Sequence, residues 1–488
     1  MRLALEESDT MSSNGMSIEK LPIAGERVTT DDTIAVIAPY DGRELGRVPK
    51  CGPAEVDRAV RAARDAMSHG ALPPWRRAET LDIAARLLTE RNEDFARTIA
   101  LEAAKPIKTA RIEAERAVAT FTFAAAEARV LAGDMVPLDA SAVGEGKLGF
   151  TLRLPIGVVG AISPFNFPLN LVAHKLAPAI AAGCPVVLKP ASQTPLSAIK
   201  LAELLLDECG LPGDQLSVVT GGGGSVGNAL VEHDGVALIT FTGSPEVGWG
   251  IKERAPRKKV GLELGNNAPV IVEPGSDYET AARKVSVAGF SHAGQSCIST
   301  QRIFVHRSVA DDFLGALVPL VQALRVGDPL DEQTDVSALI TTGDRDRVKS
   351  WIDDAVAGGA SVLAGGDVRD GMLEPTVLVD VTPEMKVCSH EVFGPVVGVA
   401  RYDDVGDAIR LANDTRYGLQ AAIYTPDLET ALRAAHELDF GAVLVNEVPT
   451  WRTDQMPYGG VRDSGNTREG PRYAIREMTE ERLVVIQP

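Results

Sequence analysis

The chain has 488 residues, of which 45% are hydrophobic and 24% are charged, values typical of a folded protein with two or more domains. Its formal net charge of −18 is spread along the sequence, which argues against binding to nucleic acid or to an anionic membrane surface. No apolar run approaches the roughly 18 residues of a membrane helix, and residues 1–20 are polar and resemble a frayed leader rather than a signal peptide. We therefore expect a cytoplasmic protein.

The cysteine and histidine side chains predict neither disulfides nor a metal site. Five cysteines stand far apart without a CxxC pair, and the seven histidines are equally dispersed. The cytoplasm keeps such cysteines reduced. Any cysteine with a role is therefore expected to act as a free thiol without a metal.

From residue 158 onward, short β-rich runs alternate with helical stretches. The predicted strands of this first series are residues 158–162, 185–188, 216–220, 237–241 and 260–263. Between them, residues 196–208 predict a helix that Thr194 caps and Pro195 begins. The alternation predicts a parallel α/β sheet with ligand sites at the carboxyl ends of its strands.

A second series indicates a second α/β domain. Residues 302–306 and 443–445 are predicted strands, and residues 309–325 and 346–357 are predicted helices. Residues 131–154 interrupt the first series and resemble an edge hairpin or arm. The tail, residues 483–486, predicts another strand without an obvious partner inside the chain, so we expect it to pair between subunits of a homodimer or homotetramer.

Seven motifs follow one another along the chain, and together they carry a resemblance. They are Ser163-Pro164-Phe165-Asn166-Phe167-Pro168, Leu188-Lys189-Pro190-Ala191, Phe241-Thr242-Gly243-Ser244, Leu262-Glu263-Leu264-Gly265, Gly294-Gln295-Ser296-Cys297-Ile298-Ser299, Glu391-Val392-Phe393-Gly394-Pro395 and Pro457-Tyr458-Gly459-Gly460-Val461-Arg462-Asp463-Ser464-Gly465. In this order they resemble the aldehyde dehydrogenase superfamily over residues 21–486. Residues 105–116 and the closing motif are most similar to the branch of lactaldehyde dehydrogenases and non-phosphorylating glyceraldehyde-3-phosphate dehydrogenases.

The resemblance implies an α/β fold with two parallel-sheet domains and a small β oligomerisation arm. We expect the dinucleotide-binding domain at residues 1–131 and 152–264 and the catalytic domain at residues 265–455. The arm and the C-terminal tail are expected at residues 132–151 and 456–488.

Three residues are expected to carry the chemistry. Cys297, in a turn before a strand, is the expected nucleophile, whose thiolate adds to an aldehyde to form a thiohemiacetal. By resemblance, the Asn166 amide and the Cys297 backbone N–H bind the resulting oxyanion, and Glu263 activates water to hydrolyse the thioester that follows. Relatives that pass the thioester to coenzyme A typically lack this glutamate, so we expect hydrolysis.

The expected cofactor is NAD or NADP. Gly243 and Ser244 lie between a strand and a helix, a position suited to a pyrophosphate. By resemblance, Lys189 faces the adenosine ribose, and Glu391 and Phe393 hold the nicotinamide ribose and ring; the other residues expected at the cofactor are Ile162, Ser163, Pro164, Phe165, Ser192 and Gly222. NAD-preferring relatives usually carry glutamate where this chain has Ser192, so NADP should be accepted or preferred.

The substrate is expected to be a short aldehyde with a polar or anionic end, such as lactaldehyde, glyceraldehyde 3-phosphate, phosphonoacetaldehyde or sulfolactaldehyde. Arg116 and Arg452 are expected to pair with the anion, beside Phe167 and Ser296. Some anion-specific relatives carry arginine at the Ser296 position, which disfavours a phosphonate. The alternatives are a succinate semialdehyde dehydrogenase and a protein of this fold that has lost activity.

Overall fold

The structure is a computed structural model that describes residues 18–488. The frayed leader predicted for residues 1–20 lies almost wholly outside this range. Among the described residues, no helix combines the length and the apolar character needed to cross a membrane.

The first half of the molecule is built around a five-stranded parallel sheet. Its elements in chain order are β1 (Leu21–Ile23), β2 (Glu26–Val28), β3 (Thr33–Ile37), β4 (Glu44–Pro49), α1 (Pro53–Ser68), α2 (Pro74–Glu90), α3 (Asn92–Ala103), α4 (Ile107–Val130), β5 (Met135–Val136), β6 (Leu148–Pro155), β7 (Val158–Ile162), α5 (Asn170–Ala182), β8 (Val186–Lys189), α6 (Leu196–Glu203), β9 (Leu216–Val218), α7 (Asn228–Glu232), β10 (Val236–Thr242), α8 (Pro245–Arg254) and β11 (Lys259–Glu263). The strand order is β11-β10-β7-β8-β9.

Hydrophobic patterning explains both kinds of element in this half. Strand β7 is apolar along its whole length and buried throughout, as expected for a central strand that is covered on both faces. Helix α1 instead carries apolar residues at intervals of three and four, and Val56, Ala59, Val60 and Ala63 are all buried. The five strands predicted for this sheet are all present.

The second half is built around a seven-stranded sheet with the order β14-β17-β18-β13-β12-β19-β20. Its elements are β12 (Pro269–Val272), α9 (Tyr278–Ala288), β13 (Arg302–His306), α10 (Ala310–Gln322), α11 (Thr342–Ala357), β14 (Ser361–Ala364), β15 (Val368–Arg369), β16 (Met372–Leu373), β17 (Thr376–Val379), α12 (Lys386–Ser389), β18 (Val396–Tyr402), α13 (Val405–Asn413), β19 (Gln420–Tyr424), α14 (Leu428–Glu437) and β20 (Ala442–Val445). Only β14 runs antiparallel to its neighbour. The prediction of two parallel-sheet α/β units is confirmed, and the residue boundaries proposed for the domains stay a prediction.

A three-stranded antiparallel sheet forms the arm. The chain closes with α15 (Pro471–Glu477) and β21 (Thr479–Ile486), and the strand order is β21-β6-β5. The tail is a strand, as predicted, but the expectation that it lacks a partner inside the chain is wrong, because β21 pairs with β6 along its full length. Since β6 lies more than 300 residues earlier in the sequence, no local pattern indicates this pairing.

The predicted helix at residues 196–208 is present, but its beginning differs from the prediction. Helix α6 continues into a π-helical turn at Leu204–Glu208. The Thr194 hydroxyl does not cap it and donates instead to the carbonyl of Phe165. The buried carboxylate of Glu102, on α3, accepts hydrogen bonds from the N–H groups of Leu196 and Ser197 at 2.8 Å and 2.9 Å. A distant carboxylate therefore satisfies the first N–H groups of this helix.

Candidate active site

A cavity of about 520 Å³ opens where β7, β10 and β11 end. These strands are parallel neighbours, so the segments that follow them reach the same edge of the sheet. The first half of the molecule contributes to its wall Pro164, Phe165, Asn166, Gly243, Ser244 and Glu263, and the second half contributes Cys297, Glu391 and Phe393. The structure thus brings together nine of the residues that the sequence predicts for the site.

The turn that carries Cys297 is fixed by close backbone packing. Gly294 has a φ of +70°, and a Cβ there would come within 2.1 Å of the Gly394 carbonyl oxygen, so only glycine fits. The side chain of Gln295 accepts a hydrogen bond from the Ile340 N–H at 2.9 Å. Cys297 therefore lies on a segment with little freedom to move.

Cys297 itself is half-buried beside the cavity. Its sulfur lies 2.9 Å from the hydroxyl oxygen of Tyr458. Burial raises the pKa of the Cys297 thiol to about 12, and the hydrogen bond to Tyr458 opposes that rise. The thiol is therefore protonated at neutral pH in this structure, and it needs a base before it can attack.

Asn166 is held next to the Cys297 turn by a backbone contact. Its side-chain nitrogen donates a hydrogen bond to the carbonyl of Gln295, two residues before Cys297, at 2.9 Å. A primary amide carries two N–H donors, so a second one remains for another acceptor. A buried amide donor beside a thiol is the arrangement that stabilises a developing oxyanion.

Glu263 lies at the end of β11 and is almost completely buried. Among the described residues, neither of its carboxylate oxygens has a hydrogen-bond partner. Burial and the nearby Glu469 raise the pKa of Glu263 well above its ordinary value, whereas Arg452 and Lys175 lower it. A carboxyl group with a raised pKa is a stronger base than an exposed glutamate, as proton abstraction near neutral pH requires.

The start of helix α8 forms one part of the cavity wall suited to a dinucleotide. Ser244 precedes the helix and Pro245 is its first residue, as the sequence predicts. The first turn of a helix leaves N–H groups without intrahelical partners, and such a terminus binds phosphate. At Gly243 a Cβ would come within 2.5 Å of the Phe241 ring, so the close turn needs glycine.

Another part of the cavity wall is suited to a ribose and a flat ring. The Glu391 carboxylate accepts a hydrogen bond from the Asn266 N–H at 3.0 Å. A Cβ on Gly265 would come within 2.3 Å of that carboxylate, so a larger residue there would displace the Glu391 side chain. The rings of Phe165 and Phe393 meet edge to face at 5.7 Å. Together these features fit NAD or NADP. The start of α8 provides an anion site, Glu391 a hydroxyl acceptor, and the two phenylalanine rings an aromatic wall.

Five residues expected at the cofactor do not line this cavity: Ile162, Ser163, Lys189, Ser192 and Gly222. The Lys189 ammonium is buried and donates a hydrogen bond to the Pro190 carbonyl at 3.1 Å, and burial lowers its pKa to about 8. The Ser192 hydroxyl donates to the Gly221 carbonyl at 3.0 Å. Gly222 precedes a π-helical turn, Gly223–Gly227, rather than a regular helix.

The structure leaves three of the residues expected at the substrate partly exposed: Arg116, Phe167 and Ser296. Arg116, on α4, donates to both carboxylate oxygens of Asp454, at 2.8 Å and 3.3 Å. Its guanidinium carbon is 5.9 Å from the centre of the Phe167 ring. Arg116 therefore keeps part of its surface open, but it shares its charge with Asp454.

Arg452 lies elsewhere than the anion-anchor prediction requires. Only 4% of its side chain is exposed, and its Nη2 atom is 2.8 Å from a carboxylate oxygen of Glu469. The guanidinium carbon also lies 3.7 Å from the centre of the Tyr458 ring. A buried guanidinium with a carboxylate partner and an aromatic neighbour is not free to meet a substrate anion, so this geometry contradicts the predicted anchor role.

Four residues of this region were not predicted from the sequence: His174, Asp454, Tyr458 and Glu469. His174 connects the Arg116–Asp454 pair to Arg452. Its Nε2 atom lies 2.9 Å from Asp454 and 3.0 Å from Arg452. Burial and Arg452 lower the pKa of His174, so the ring is neutral at neutral pH. The closing motif contains Tyr458 and is the one local sequence signal for it. The other three residues have no such signal.

Comparison with known proteins identifies relatives along nearly the whole chain. The sequence model described as the aldehyde dehydrogenase family matches residues 27–484. The 3-sulfolactaldehyde dehydrogenase of Priestia aryabhattai is 45% identical over 467 residues, which cover 96% of this chain and 97% of that protein. The lactaldehyde dehydrogenase of Methanococcus aeolicus is 36% identical over 468 residues, 95% of this chain and 99% of the relative.

Solved structures give the same result for the fold. Aldehyde dehydrogenase 21 from Physcomitrella patens, in complex with the reaction product succinate, superposes with a TM-score of 0.92 at 39% identity, covering 96% of this chain and 98% of that one. Glyceraldehyde-3-phosphate dehydrogenase GapN from Methanocaldococcus jannaschii, complexed with NADP, gives a TM-score of 0.90 at 38% identity, covering 94% and 100%.

Proposed function

Because the chain belongs to the aldehyde dehydrogenase family and is an NAD(P)-dependent oxidoreductase, we propose that it oxidises a short aldehyde with an anionic end, of the 3-sulfolactaldehyde type, to the carboxylate. The observation that carries this proposal is the meeting of Cys297, Glu263 and Asn166 at one cavity. The reaction converts the aldehyde, the oxidised cofactor and water into the carboxylate, the reduced cofactor and two protons.

The first half of the proposed mechanism forms a thioester on Cys297. The thiol proton passes to solvent, and the thiolate adds to the aldehyde carbon. The carbonyl oxygen becomes an oxyanion, which the Asn166 amide and the Cys297 N–H stabilise. When the oxyanion collapses to the thioester, the aldehyde hydrogen leaves with its electron pair. The bound nicotinamide supplies the acceptor for this hydride.

The second half of the proposed mechanism hydrolyses the thioester. Glu263 takes a proton from water, the hydroxide adds to the thioester carbon, and the sulfur of Cys297 leaves as the thiolate. The raised pKa of Glu263 supports this role, since it strengthens the carboxylate as a base. The proton that Glu263 took from water returns to the Cys297 thiolate, and the product acid ionises to the carboxylate, so the site returns to its starting state.

We further propose that NADP is used at least as well as NAD. Ser192 is neutral and hydrogen-bonds to the glycine-rich segment through Gly221, so it presents no negative charge near Lys189. A 2′-phosphate beside Lys189 would gain a cation without meeting a carboxylate. The NADP complex of the 38% identical GapN structure supports the same preference.

Arg116 and the relatives support this substrate class. Arg116 is the partly exposed guanidinium near Phe167, and a guanidinium binds sulfonate or carboxylate oxygens in a bidentate manner. A relative that covers 96% of this chain is a 3-sulfolactaldehyde dehydrogenase. Lactaldehyde is the substrate named for another relative. Like sulfolactaldehyde it is a short hydroxyaldehyde, but it carries no anionic group.

Succinate semialdehyde is the second candidate substrate. It is also a short aldehyde with an anionic end, and the product succinate is bound in the 39% identical structure from Physcomitrella patens. It differs from sulfolactaldehyde because it carries a carboxylate instead of a sulfonate and has no 2-hydroxyl group. A direct comparison of the two substrates separates these candidates.

We also propose a cytoplasmic homodimer or homotetramer. The five cysteines are free thiols, as in a reducing compartment. The arm exposes apolar side chains on two adjacent strands: Leu148, Leu152, Leu483, Val485 and Ile486. An exposed edge strand of this kind favours association with a second copy. Light scattering during size-exclusion chromatography measures the number of subunits.

A substrate panel tests the proposed function. The values of kcat/KM should be measured with both cofactors for sulfolactaldehyde, succinate semialdehyde, lactaldehyde and propanal. An anion paired with a guanidinium contributes roughly 1.5–3 kcal/mol, so we expect sulfolactaldehyde to exceed lactaldehyde by about 10- to 100-fold. Equal values for sulfolactaldehyde and propanal would contradict the proposal. Cys297→Ala is the inactive control.

A further inference from the structure

Tyr458 contacts the nucleophile and is itself held in place by two neighbours. Its hydroxyl oxygen lies 2.9 Å from the Cys297 sulfur. The guanidinium of Arg452 lies over the ring at 3.7 Å, and Glu469 pairs with that guanidinium at 2.8 Å. The backbones of Tyr458 and Glu469 also exchange two hydrogen bonds, at 3.2 Å and 2.6 Å. Both the ring and its backbone are therefore fixed relative to the sulfur.

The direction of the hydrogen bond follows from the environment of Tyr458. Only 3% of the residue is exposed, and burial together with Cys297 raises the pKa of its phenol well above the ordinary value. The phenol therefore keeps its proton. Either atom can donate while the sulfur is a thiol, but once Cys297 is a thiolate the phenol is the donor. The cation of Arg452 on the ring face withdraws electron density from the phenol, which makes its O–H a better donor.

We infer that Tyr458 is a catalytic residue whose hydroxyl donates a hydrogen bond to the Cys297 thiolate, with Arg452 and Glu469 as positioning residues that hold it there. The inference rests on the proposed role of Cys297 as the nucleophile. Tyr458 neither gains nor loses a proton. Its hydrogen bond acts twice, because the sulfur is a thiolate before it attacks the aldehyde and again when it leaves the thioester.

Two opposing contributions decide how much the Tyr458 hydrogen bond changes the rate at which Cys297 attacks. A hydrogen bond that lowers the thiol pKa by about one unit raises the thiolate fraction about tenfold below that pKa. The same change lowers the intrinsic reactivity of the thiolate about threefold, because nucleophilicity falls with basicity by a Brønsted factor of roughly 0.5. The thiolate fraction dominates, so the hydrogen bond should accelerate attack about threefold at pH values below the thiol pKa.

The test is the pH dependence of iodoacetamide alkylation at Cys297, identified by mass spectrometry, in Tyr458→Phe and in the unmodified protein. We expect the variant to react about threefold more slowly below the midpoint and its midpoint to lie about one pH unit higher. The ultraviolet absorbance of the thiolate, measured against matched Cys297→Ser proteins, should give the same shift. A uniformly slower reaction with an unchanged midpoint, or no difference at all, would overturn the inference.

The matched control is Tyr424→Phe. Tyr424 is also buried, and within the described chain its hydroxyl has no hydrogen-bond partner, so the control removes the same atom without touching the sulfur. Its alkylation profile should match the unmodified protein. The two proposals fail in different ways. If the alkylated Cys297 protein still oxidises aldehydes, the proposed function is wrong; if alkylation abolishes oxidation but Tyr458→Phe changes nothing, only the role of Tyr458 is wrong.

Discussion

Arg116 and Asp454 form a bidentate ion pair, with N···O distances of 2.8 Å and 3.3 Å between residues 338 positions apart in sequence. Asp454 also accepts hydrogen bonds from Asn170 at 3.2 Å and lies 2.9 Å from His174. The guanidinium proposed to bind the substrate anion therefore already has an anionic partner. The substrate must compete with Asp454 for the charge of Arg116.

Replacing Arg116 by methionine should weaken the binding of anionic aldehydes. The variant keeps most of the apolar stem but loses the cation, so KM for sulfolactaldehyde should rise about 10- to 100-fold, the equivalent of one charge-assisted hydrogen bond. KM for the neutral lactaldehyde should stay within about twofold. Steady-state kinetics with both substrates measure the difference.

Two further variants make the Arg116 experiment specific. Arg129→Met removes an exposed arginine from the same helix, where it pairs with Asp82, and should leave both KM values unchanged. Asp454→Asn removes the competing carboxylate, so KM for the anionic aldehyde should fall. A rise in KM that is equal for anionic and neutral aldehydes in Arg116→Met would contradict an anchor role.

Ser192→Glu should reverse the proposed cofactor preference. A carboxylate at this position would repel the 2′-phosphate of NADP and would offer hydrogen-bond acceptors to the ribose hydroxyls of NAD. We expect kcat/KM for NADP to fall at least about tenfold, the effect of about 1.4 kcal/mol, while the value for NAD is kept or rises. Gln193→Glu adds the same charge on the neighbouring exposed residue and should change neither value. An unmodified protein that already strongly prefers NAD would contradict the account.

Glu102 should make the stability of the protein depend on pH. Burial raises its pKa from 4.5 to about 7. Because this folded-state pKa is raised, the stability that Glu102 contributes is fully present below pH 4.5 and is lost as the pH rises through about 7. The loss amounts to roughly 3 kcal/mol over this range.

The variant Glu102→Gln isolates this effect, because the amide does not titrate. Urea denaturation should show that the free energy of unfolding of the variant, relative to the unmodified protein, improves as the pH rises from 4.5 to 8. The exposed Glu79→Gln is the control and should give a difference that does not vary with pH. A pH-independent difference for Glu102→Gln would show that the carboxyl is not protonated in the folded state.

The parts of the fold that the sequence predicts are those encoded locally. Residues 158–162 form an apolar run, and residues 302–306 have an apolar centre, and β7 and β13 have the same bounds as predicted. Ser244 and Pro245 likewise mark the beginning of α8 through the local chemistry of a helix terminus. Hydrophobic periodicity and turn residues act over a few residues, so the sequence alone is sufficient to predict the elements that they define.

The parts that the sequence does not predict depend on residues far apart in the chain. Glu102, rather than Thr194, satisfies the beginning of α6 from 94 positions away. A lone arginine has no pattern that distinguishes an anion anchor from a buried ion pair, so the sequence does not indicate that Arg452 pairs with Glu469. Such pairings are set by tertiary packing.

The most direct test of the account is a rapid-mixing experiment with Glu263→Gln, sulfolactaldehyde and NADP. If Glu263 activates the hydrolytic water, the variant should complete hydride transfer and then stall. We predict one equivalent of reduced nicotinamide per active site, a steady-state rate reduced by at least about 100-fold, and an acyl group on Cys297 detectable by mass spectrometry after quenching. Steady turnover at the unmodified rate, with no acyl group on Cys297, would contradict the central claim that aldehyde oxidation proceeds through a Cys297 thioester hydrolysed with the help of Glu263.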